Sequence, residues 1–302
     1  MSIFSGIWIP LVTPFSRGAV DHGALAALVD RYRKAGVAGF AALGTTGEPA
    51  ALSLGEQDAV LDTILREAEG VPVIAGLAGN QTAQLQNRVR RMNEQPISGL
   101  LISAPYYIRP SQAGLVEHFE RLADLSTKPI VLYDIPYRTG VRIELDTLLT
   151  LAAHPRIMAI KDCSGAVDTT LALIRDGRLQ VLAGNDDAIF STLCMGGSGA
   201  ISASAHLRTE RFVAMHRALA EGRLADGRAI FHELAPLVRA LMSEPNPAPV
   251  KAALAALGLI DNELRVPMTR ASEALANQLA RLLTDKASAT ASMTLAQSPS
   301  AG

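Results

Sequence analysis

A lysine in unusual surroundings is the residue best placed to do chemistry in this sequence. Lys161 follows the apolar residues IMAI at positions 157–160, which read as a buried strand. Lysine is rarely buried, because its ammonium needs water, and desolvation favours the neutral amine. A neutral amine is a nucleophile that can condense with a ketone to form a Schiff base. Lys161 is therefore the candidate nucleophile.

A turn with two adjacent hydroxyls follows an earlier apolar stretch. Residues 44–48 read GTTGE, so Thr45 and Thr46 lie between glycines. Two hydroxyls together with free backbone N–H groups suit a small carboxylate. The alternative is an ordinary turn in which a threonine caps the next helix.

Tyrosine and arginine accompany two other apolar stretches. Four of the five tyrosines lie in residues 104–107 (APYY) and 133–140 (YDIPYRTG). A hydroxyl both donates and accepts, so Tyr133 could pass protons beside a Schiff-base lysine, although core packing also explains a buried tyrosine. Arg138 needs an anionic partner, which is either a nearby Asp or Glu or a carboxylate ligand held bidentately. We favour the ligand.

Short apolar segments that alternate with helical patterns must position these side chains. The predicted strands are residues 7–13, 39–44, 71–78, 99–104, 130–135, 157–161, 179–183 and 199–202. Eight strands, each followed by a helix, favour a closed (β/α)₈ TIM barrel, an α/β fold whose strand ends form the active-site face. The alternative, an open doubly wound sheet, usually has a glycine-rich turn after its first strand, and this chain has TPF at 13–15 instead.

The chain divides into three predicted parts. Residues 1–222 form the barrel, and residues 223–286 form a C-terminal helical extension, with helices over 223–243, 248–257 and 270–284. Residues 287–302 are rich in Ala, Ser and Thr and are expected to be a disordered tail.

Composition excludes several classes of protein. A net charge of −1 without a long basic run argues against nucleic acid or an anionic membrane as partner. We find no apolar run of about 18–20 residues and no signal-peptide pattern, so a cytoplasmic location is expected. Cys163 and Cys194 form no cluster with histidine, so no metal site is expected, and Asp186 and Asp187 read as helix caps. The six histidines read as surface or capping residues.

Taken together, the segments 44–48, 133–140 and 160–162 (IKD) resemble the dihydrodipicolinate synthase / N-acetylneuraminate lyase family of class I aldolases. The resemblance covers residues 5–284. Arg138, together with residues 105–107 and 244–251 (EPNPAPVK), is closest to the synthase branch. That branch condenses pyruvate with L-aspartate 4-semialdehyde to 4-hydroxy-tetrahydrodipicolinate, in lysine and diaminopimelate biosynthesis.

The resemblance also implies a role for each site residue. Lys161 would form the Schiff base with pyruvate, without a metal or organic cofactor. Tyr133 would relay protons, completed by Thr46 and by Tyr107 from a neighbouring subunit, so the protein would be a homo-oligomer, expected as a tetramer. The substrate-binding residues would be Thr45 and Thr46 for the pyruvate carboxylate, Arg138 for the aldehyde's carboxylate, and Gly184 and Ile201 for the pocket wall.

Three departures from the synthase pattern keep alternatives open. Asp134 stands where asparagine is common, Cys163 and Ser164 replace the small or hydroxyl pair that often follows the catalytic lysine, and Asn185 stands where aspartate is frequent. The alternatives are another pyruvate-dependent aldolase or a 2-keto-sugar-acid dehydratase of the same family, and a non-catalytic sensor of keto acids. A sensor would not need a nucleophile. Leu54, Gln57 and Gln84 replace the charged groups of a lysine-effector pocket, so feedback inhibition by lysine is expected to be weak or absent.

Overall fold

The computed structural model describes the backbone of residues 3–295 and the side chains of residues 3–284. Eight parallel strands close into one barrel, in which each strand pairs with its sequence neighbours and the last pairs with the first. The strands are β1 (Gly6–Pro10), β2 (Gly39–Ala42), β3 (Val73–Leu77), β4 (Gly99–Ser103), β5 (Ile130–Asp134), β6 (Ile157–Asp162), β7 (Gln180–Ala183) and β8 (Gly199–Ile201). The predicted TIM barrel is confirmed.

Helices surround the barrel and continue beyond it. They are α1 (His22–Lys34), α2 (Leu54–Glu67), α3 (Thr82–Asn93), α4 (Gln112–Ala123), the single turn α5 (Pro136–Thr139), α6 (Leu145–Leu151), α7 (Val167–Asp176), α8 (Ile189–Cys194), α9 (Thr209–Ala220), α10 (Leu224–Leu241), α11 (Ala248–Ala256) and α12 (Glu273–Leu295). A hairpin of two short strands, Phe15–Ser16 and Ala19–Val20, follows β1.

Local signals in the sequence explain where the helices begin. Helix α2 starts with a capping box, in which the Ser53 side chain accepts from the Glu56 N–H and the Glu56 side chain accepts from the Ser53 N–H. The Asp21 side chain caps α1 by accepting from the Ala24 N–H. These caps fix the points at which the chain leaves the carboxyl edge of the barrel.

Alternation along the strands separates two apolar layers. One cluster fills the barrel interior, and the other lies between the strands and the helices. Trp8 is the largest side chain of the interior cluster, and a Cβ added at Gly39 on the adjacent strand would lie 2.2 Å from its ring. The interior is therefore a packed core that closes the barrel below its carboxyl edge.

A buried ion pair joins the C-terminal extension to the turn after β2. The Lys251 Nζ on α11 lies 2.5 Å from the Glu48 Oε1, with side chains 0% and 3% exposed. Lys251 also donates to the Glu263 carbonyl oxygen at 3.0 Å. Removing one member of such a pair leaves an uncompensated buried charge and typically costs about 3–5 kcal/mol. The extension is thereby fixed against the carboxyl edge of the barrel.

The C-terminal end differs from the prediction. Helix α9 ends at Ala220 and α10 begins at Leu224, so the predicted boundary at residue 222 falls in the turn between them. Helix α12 continues to Leu295, past residue 287, where the disordered tail was expected to begin. Residues 296–302 lie outside the described residues. Within residues 3–295, we find no helix long and apolar enough to cross a membrane.

Candidate active site

Strand register places Lys161 beside Tyr133. The two residues are direct partners in the β5–β6 ladder, and both side chains point into the barrel, where Val131, Ala159 and Tyr133 belong to one interior cluster. The Lys161 Nζ lies 4.4 Å from the centre of the Tyr133 ring. Each residue is 7% exposed. The predicted nucleophile and the predicted proton carrier therefore lie together at the carboxyl edge.

Burial changes the proton affinity of both groups. Desolvation lowers the pKa of the Lys161 ammonium, Arg138 lowers it further, and Cys163 and Asp186 oppose the shift. Desolvation raises the pKa of Tyr133 well above its usual value, and the Thr45 hydroxyl opposes that rise. Both shifts favour the neutral form, so the site holds a nucleophilic amine next to a protonated phenol.

Gly184, directly after β7, leaves the space that Lys161 occupies. A Cβ at this position would lie 2.3 Å from the Cys163 Sγ and 2.9 Å from the Lys161 Cγ. Any larger residue would displace the lysine stem. The sequence indicated only a turn here, whereas the structure gives the glycine a steric reason.

Ile201 ends β8, fully buried, and belongs to the same interior cluster as Tyr133 and Cys163. It contributes to the apolar floor beneath the lysine.

The two threonines of the turn after β2 face different partners. Thr45 and Thr46 begin a 3₁₀ turn, Thr45–Gly47, and the first N–H groups of a helical turn have no partner inside it. The Thr45 hydroxyl interacts with Tyr133. Thr46 is buried, and its Oγ1 accepts from the Asn246 Nδ2 at 2.9 Å. Within one chain, the hydroxyl that contacts Tyr133 is therefore that of Thr45, whereas the relay role was expected for Thr46.

Arg138 lies on α5 at the mouth of a cavity of about 670 Å³ that Thr45, Tyr133 and Asn246 also line. The side chain is exposed, and its guanidinium carbon lies 5.6 Å from the Tyr137 ring centre. Among residues 3–284 no carboxylate forms an ion pair with it, although the sequence left a protein carboxylate open as its partner. The cavity is therefore lined both by Arg138, which has no carboxylate partner among the described residues, and by Thr45 of the turn after β2.

Tyr107 does not join this site within one chain. Its side chain is 89% exposed, whereas Tyr133 is buried. Its backbone is held in a left-handed conformation, φ 72°, by an N–H bond to the Thr139 carbonyl oxygen at 2.9 Å. Tyr106 and Ile108 are exposed beside it. The ring is therefore open to solvent within one chain.

Several buried polar residues were missed or misread in the sequence. Asp186 is not a simple helix cap, since its Oδ2 accepts from the Ser204 N–H at 2.6 Å and the residue is 4% exposed. His206 is buried rather than at the surface, and its Nε2 accepts from the Val12 N–H. Asn246 and Lys251 lie in the segment 244–251, for which the sequence predicted no role in the site. No local signal reveals these contacts, because they join residues far apart in the chain.

Gln57, one of the residues behind the expected weak inhibition by lysine, is already bonded. Its amide nitrogen donates to the carbonyl oxygens of Pro49 and Leu52, and its Oε1 accepts from Arg88 at 3.0 Å. That expectation stays a prediction.

A closed barrel with a desolvated lysine at the end of its sixth strand, a tyrosine beside it and a hydroxyl turn opposite has the architecture of class I aldolases. Within the described part of the chain, no group of three or more His, Cys, Asp or Glu side chains is arranged to hold a metal ion.

Comparisons with known proteins agree with this architecture. The family model described as the dihydrodipicolinate synthetase family matches residues 3–286. The chain is 39% identical to 4-hydroxy-tetrahydrodipicolinate synthase 2 of Clostridium acetobutylicum over 92% of this chain and 99% of that protein. It is 41% identical to the synthase of Hyphomonas neptunium, over 88% and 93% of the two chains. The dihydrodipicolinate synthase of Acinetobacter baumannii, solved with pyruvate, superposes with a TM-score of 0.91 at 32% identity, covering 94% and 99%. The chain belongs to the dihydrodipicolinate synthetase family.

Asp134 is a buried carboxyl group directly behind the site. It pairs in register with Asp162 on β6, and its Oδ1 accepts from the Ile143 N–H at 3.2 Å. Its Oδ2 is buried without a partner among the described residues. Burial, with a further contribution from Asp162, raises the pKa of Asp134 to about 7. The ionised form therefore destabilises the fold.

Replacing Asp134 by asparagine should stabilise the protein in a pH-dependent way. In the unfolded chain the pKa is about 4, so the native state gains from the protonated carboxyl below that pH and loses the gain as pH rises to about 7. The asparagine side chain stays neutral at every pH and can still accept from the Ile143 N–H. We expect Asp134→Asn to raise the melting temperature by roughly 3–6 °C at pH 8 and by little at pH 4.

The measurement is a series of thermal melts between pH 4 and 8. Asp62→Asn is the control, because Asp62 is exposed on α2 and its side chain forms no ion pair or hydrogen bond with the residues that the structure describes. A difference between Asp134→Asn and the parent that stays flat across this range would contradict the assignment.

Proposed function

We propose that this protein is a Schiff-base lyase that condenses pyruvate with L-aspartate 4-semialdehyde to 4-hydroxy-tetrahydrodipicolinate, a step of lysine and diaminopimelate biosynthesis. The observation that carries the proposal is the buried pair of Lys161 and Tyr133, 4.4 Å apart from amine to ring centre. The names of the relatives and the family membership support the same reaction. The location proposed is the cytoplasm, which agrees with two free cysteines.

The proposed reaction begins with the neutral amine of Lys161. It attacks the keto carbon of pyruvate, and loss of water leaves an iminium ion. The methyl protons are then acidic, because their removal gives a neutral, conjugated enamine. Tyr133, whose pKa is high, suits a group that passes protons rather than one that stays ionised. The enamine carbon attacks the aldehyde carbon, the aldehyde oxygen takes up a proton, and the iminium on Lys161 is restored. The amino group of the aldehyde substrate then attacks the iminium carbon, which closes the ring and releases the amine of Lys161.

The surrounding residues are assigned by what they face. The turn of Thr45 and Thr46 would hold the pyruvate carboxylate with hydroxyls and free N–H groups, and Thr45 would also link the phenol of Tyr133 to the relay. Gly184 and Ile201 would form the wall and floor beside the lysine. Lys161 itself carries the substrate, so the proposed chemistry needs no metal or organic cofactor.

Arg138 would bind the carboxylate of the aldehyde. A guanidinium at the cavity mouth with no protein carboxylate paired to it suits a bidentate anionic ligand. The second candidate function, another pyruvate-dependent aldolase or a 2-keto-sugar-acid dehydratase, rests on Asp134 and Asn185, which depart from the synthase pattern. A sugar-derived acceptor would need hydroxyl-binding groups where Arg138 lies.

Tyr107 would act from a second copy of the chain in a homo-oligomer, proposed as a tetramer. An almost fully exposed tyrosine beside exposed Tyr106 and Ile108 is an apolar surface that suits a protein partner. In a two-fold assembly each copy would donate its Tyr107 to the other.

Lys161→Ala should abolish covalent capture of pyruvate. Borohydride reduction in the presence of pyruvate should add one reduced adduct to the parent chain, which intact mass measurement detects and peptide mapping places on Lys161. Lys34→Ala is the matched control, since Lys34 is a surface lysine paired with Asp30. An adduct of equal yield on Lys161→Ala would remove the proposed mechanism.

Arg138→Gln should affect the second substrate and not the first. We expect kcat/KM for aspartate semialdehyde to fall by a factor of about 100, equal to the roughly 3 kcal/mol of a charge-assisted bidentate contact, with pyruvate capture unchanged. Assays of the parent with sugar-derived aldehydes decide between the two candidate functions. A parent that prefers such aldehydes, or an Arg138→Gln variant that does not discriminate, would favour the second.

Mixing two inactive variants tests the shared site. Lys161→Ala retains Tyr107, and Tyr107→Ala retains Lys161, so a hybrid dimer would contain one complete site. After unfolding and refolding together in equal amounts, activity should recover to about a quarter of the parent value. Recovery no greater than the sum of the separate variants would show that Tyr107 acts within its own chain or not at all.

A further inference from the structure

We propose that Asn246, in the C-terminal extension, is a positioning residue that directs the hydroxyl of Thr46 toward the carboxylate of the keto acid. The inference rests on the proposed function, because it concerns the subsite for pyruvate. Asn246 lies between α10 and α11, 200 positions from Thr46 in the chain, yet the two side chains are hydrogen-bonded at 2.9 Å.

The polarity of this bond determines what the threonine can do. A hydroxyl has one hydrogen to donate and two lone pairs that accept, whereas an amide NH₂ group can only donate. When the Asn246 Nδ2 donates to the Thr46 Oγ1, the threonine cannot return its own hydrogen to that nitrogen. The Thr46 hydrogen is therefore available for another acceptor, and a carboxylate is the acceptor that the proposed reaction brings.

A second contact fixes the same turn from the same side. Glu48 follows Thr46 by two residues and adopts a left-handed conformation, φ 53°, which is strained for a residue with a side chain. Its carboxylate is held by the fully buried Lys251, which lies five residues after Asn246. Strain of this kind persists only where the surroundings over-determine it. The extension thus holds the turn at two points, one of them on the hydroxyl itself.

Within residues 3–284, the bond to Thr46 is the one hydrogen bond that the Asn246 side chain forms. It lines the cavity, and its Oδ1 is buried without a partner there. A side chain kept only for packing would not need a polar amide at this place, because an unsatisfied buried oxygen is unfavourable. The contact with Thr46 is what the amide contributes.

The test is a double-mutant cycle of Asn246→Ala and Thr46→Val, measured at increasing concentrations of pyruvate. The readouts are the pyruvate concentration that gives half-maximal borohydride capture on Lys161, and kcat/KM for pyruvate. We expect Asn246→Ala to weaken capture about tenfold, the factor of one lost hydrogen bond. In the Thr46→Val background it should have no further effect, because the group it directs is gone.

Two further variants separate positioning from mere structure. Asn246→Asp offers only acceptors, so Thr46 would donate to it and the new charge would lie near the pyruvate carboxylate; capture should weaken more than in Asn246→Ala. Asn262→Ala is the matched control, a half-buried asparagine of the same extension whose Oδ1 is also buried without a partner. It should leave capture unchanged. Thermal melts monitor folding in every variant.

The inference would be overturned if Asn246→Ala weakened capture by the same factor with Thr46 and with Val at position 46. Unchanged capture in both Asn246→Ala and Asn246→Asp would also overturn it. If Asn246→Ala does not fold, the comparison of Asn246→Asp with Asn246→Ser decides, since serine can still donate and should retain tighter capture. Failure of the proposed function looks different, because the parent protein itself would then show no adduct on Lys161.

Discussion

The removal of water from one amine is the constraint on which this structure depends. Lys161 is a useful nucleophile only while its ammonium is costly to form, and a closed barrel provides that condition at the end of a strand. Trp8, Leu182 and Ile201 fill the interior around it, so the space below the lysine is a packed apolar core. Gly184 then leaves the stem just enough room. Packing and chemistry are therefore one requirement here: a looser core would admit water and return the amine to its protonated form.

The charged groups around Lys161 do not offset the effect of burial, so the neutral amine remains favoured. Asp186 favours the ammonium, but burial and Arg138 oppose it, and the pKa of Lys161 is lowered overall. Asp186 is itself held away from a direct ion pair by its bond to the Ser204 N–H. A direct contact between carboxylate and ammonium would stabilise the charged form and make the amine a poor nucleophile. Asp186 therefore influences the pKa of Lys161 through space, while its carboxylate is hydrogen-bonded to the Ser204 N–H.

The sequence was sufficient for the parts that depend on periodicity and on strand ends. Buried parallel strands read as apolar runs, so eight of them separated by helices predict a barrel, and Lys161 and Tyr133 must meet because parallel strands end at one edge. Details inside a turn could not be predicted, since which of the two hydroxyls contacts Tyr133 depends on backbone angles that the residue types alone do not determine. The bond from Asn246 and the ion pair of Lys251 were equally hidden, because long-range polar contacts leave no local pattern.

The C-terminal extension is the part of the chain where the sequence pattern and the observed contacts differ most. By pattern it is a set of helices added after a complete barrel, and nothing in its periodicity connects it with catalysis. In the structure its charged and amide groups reach the turn after β2 and hold it at Glu48 and Thr46. A turn of three residues with a strained end has no means of fixing its own hydroxyls. The position of the turn after β2 therefore depends on a segment that lies outside the barrel and comes after it in the sequence.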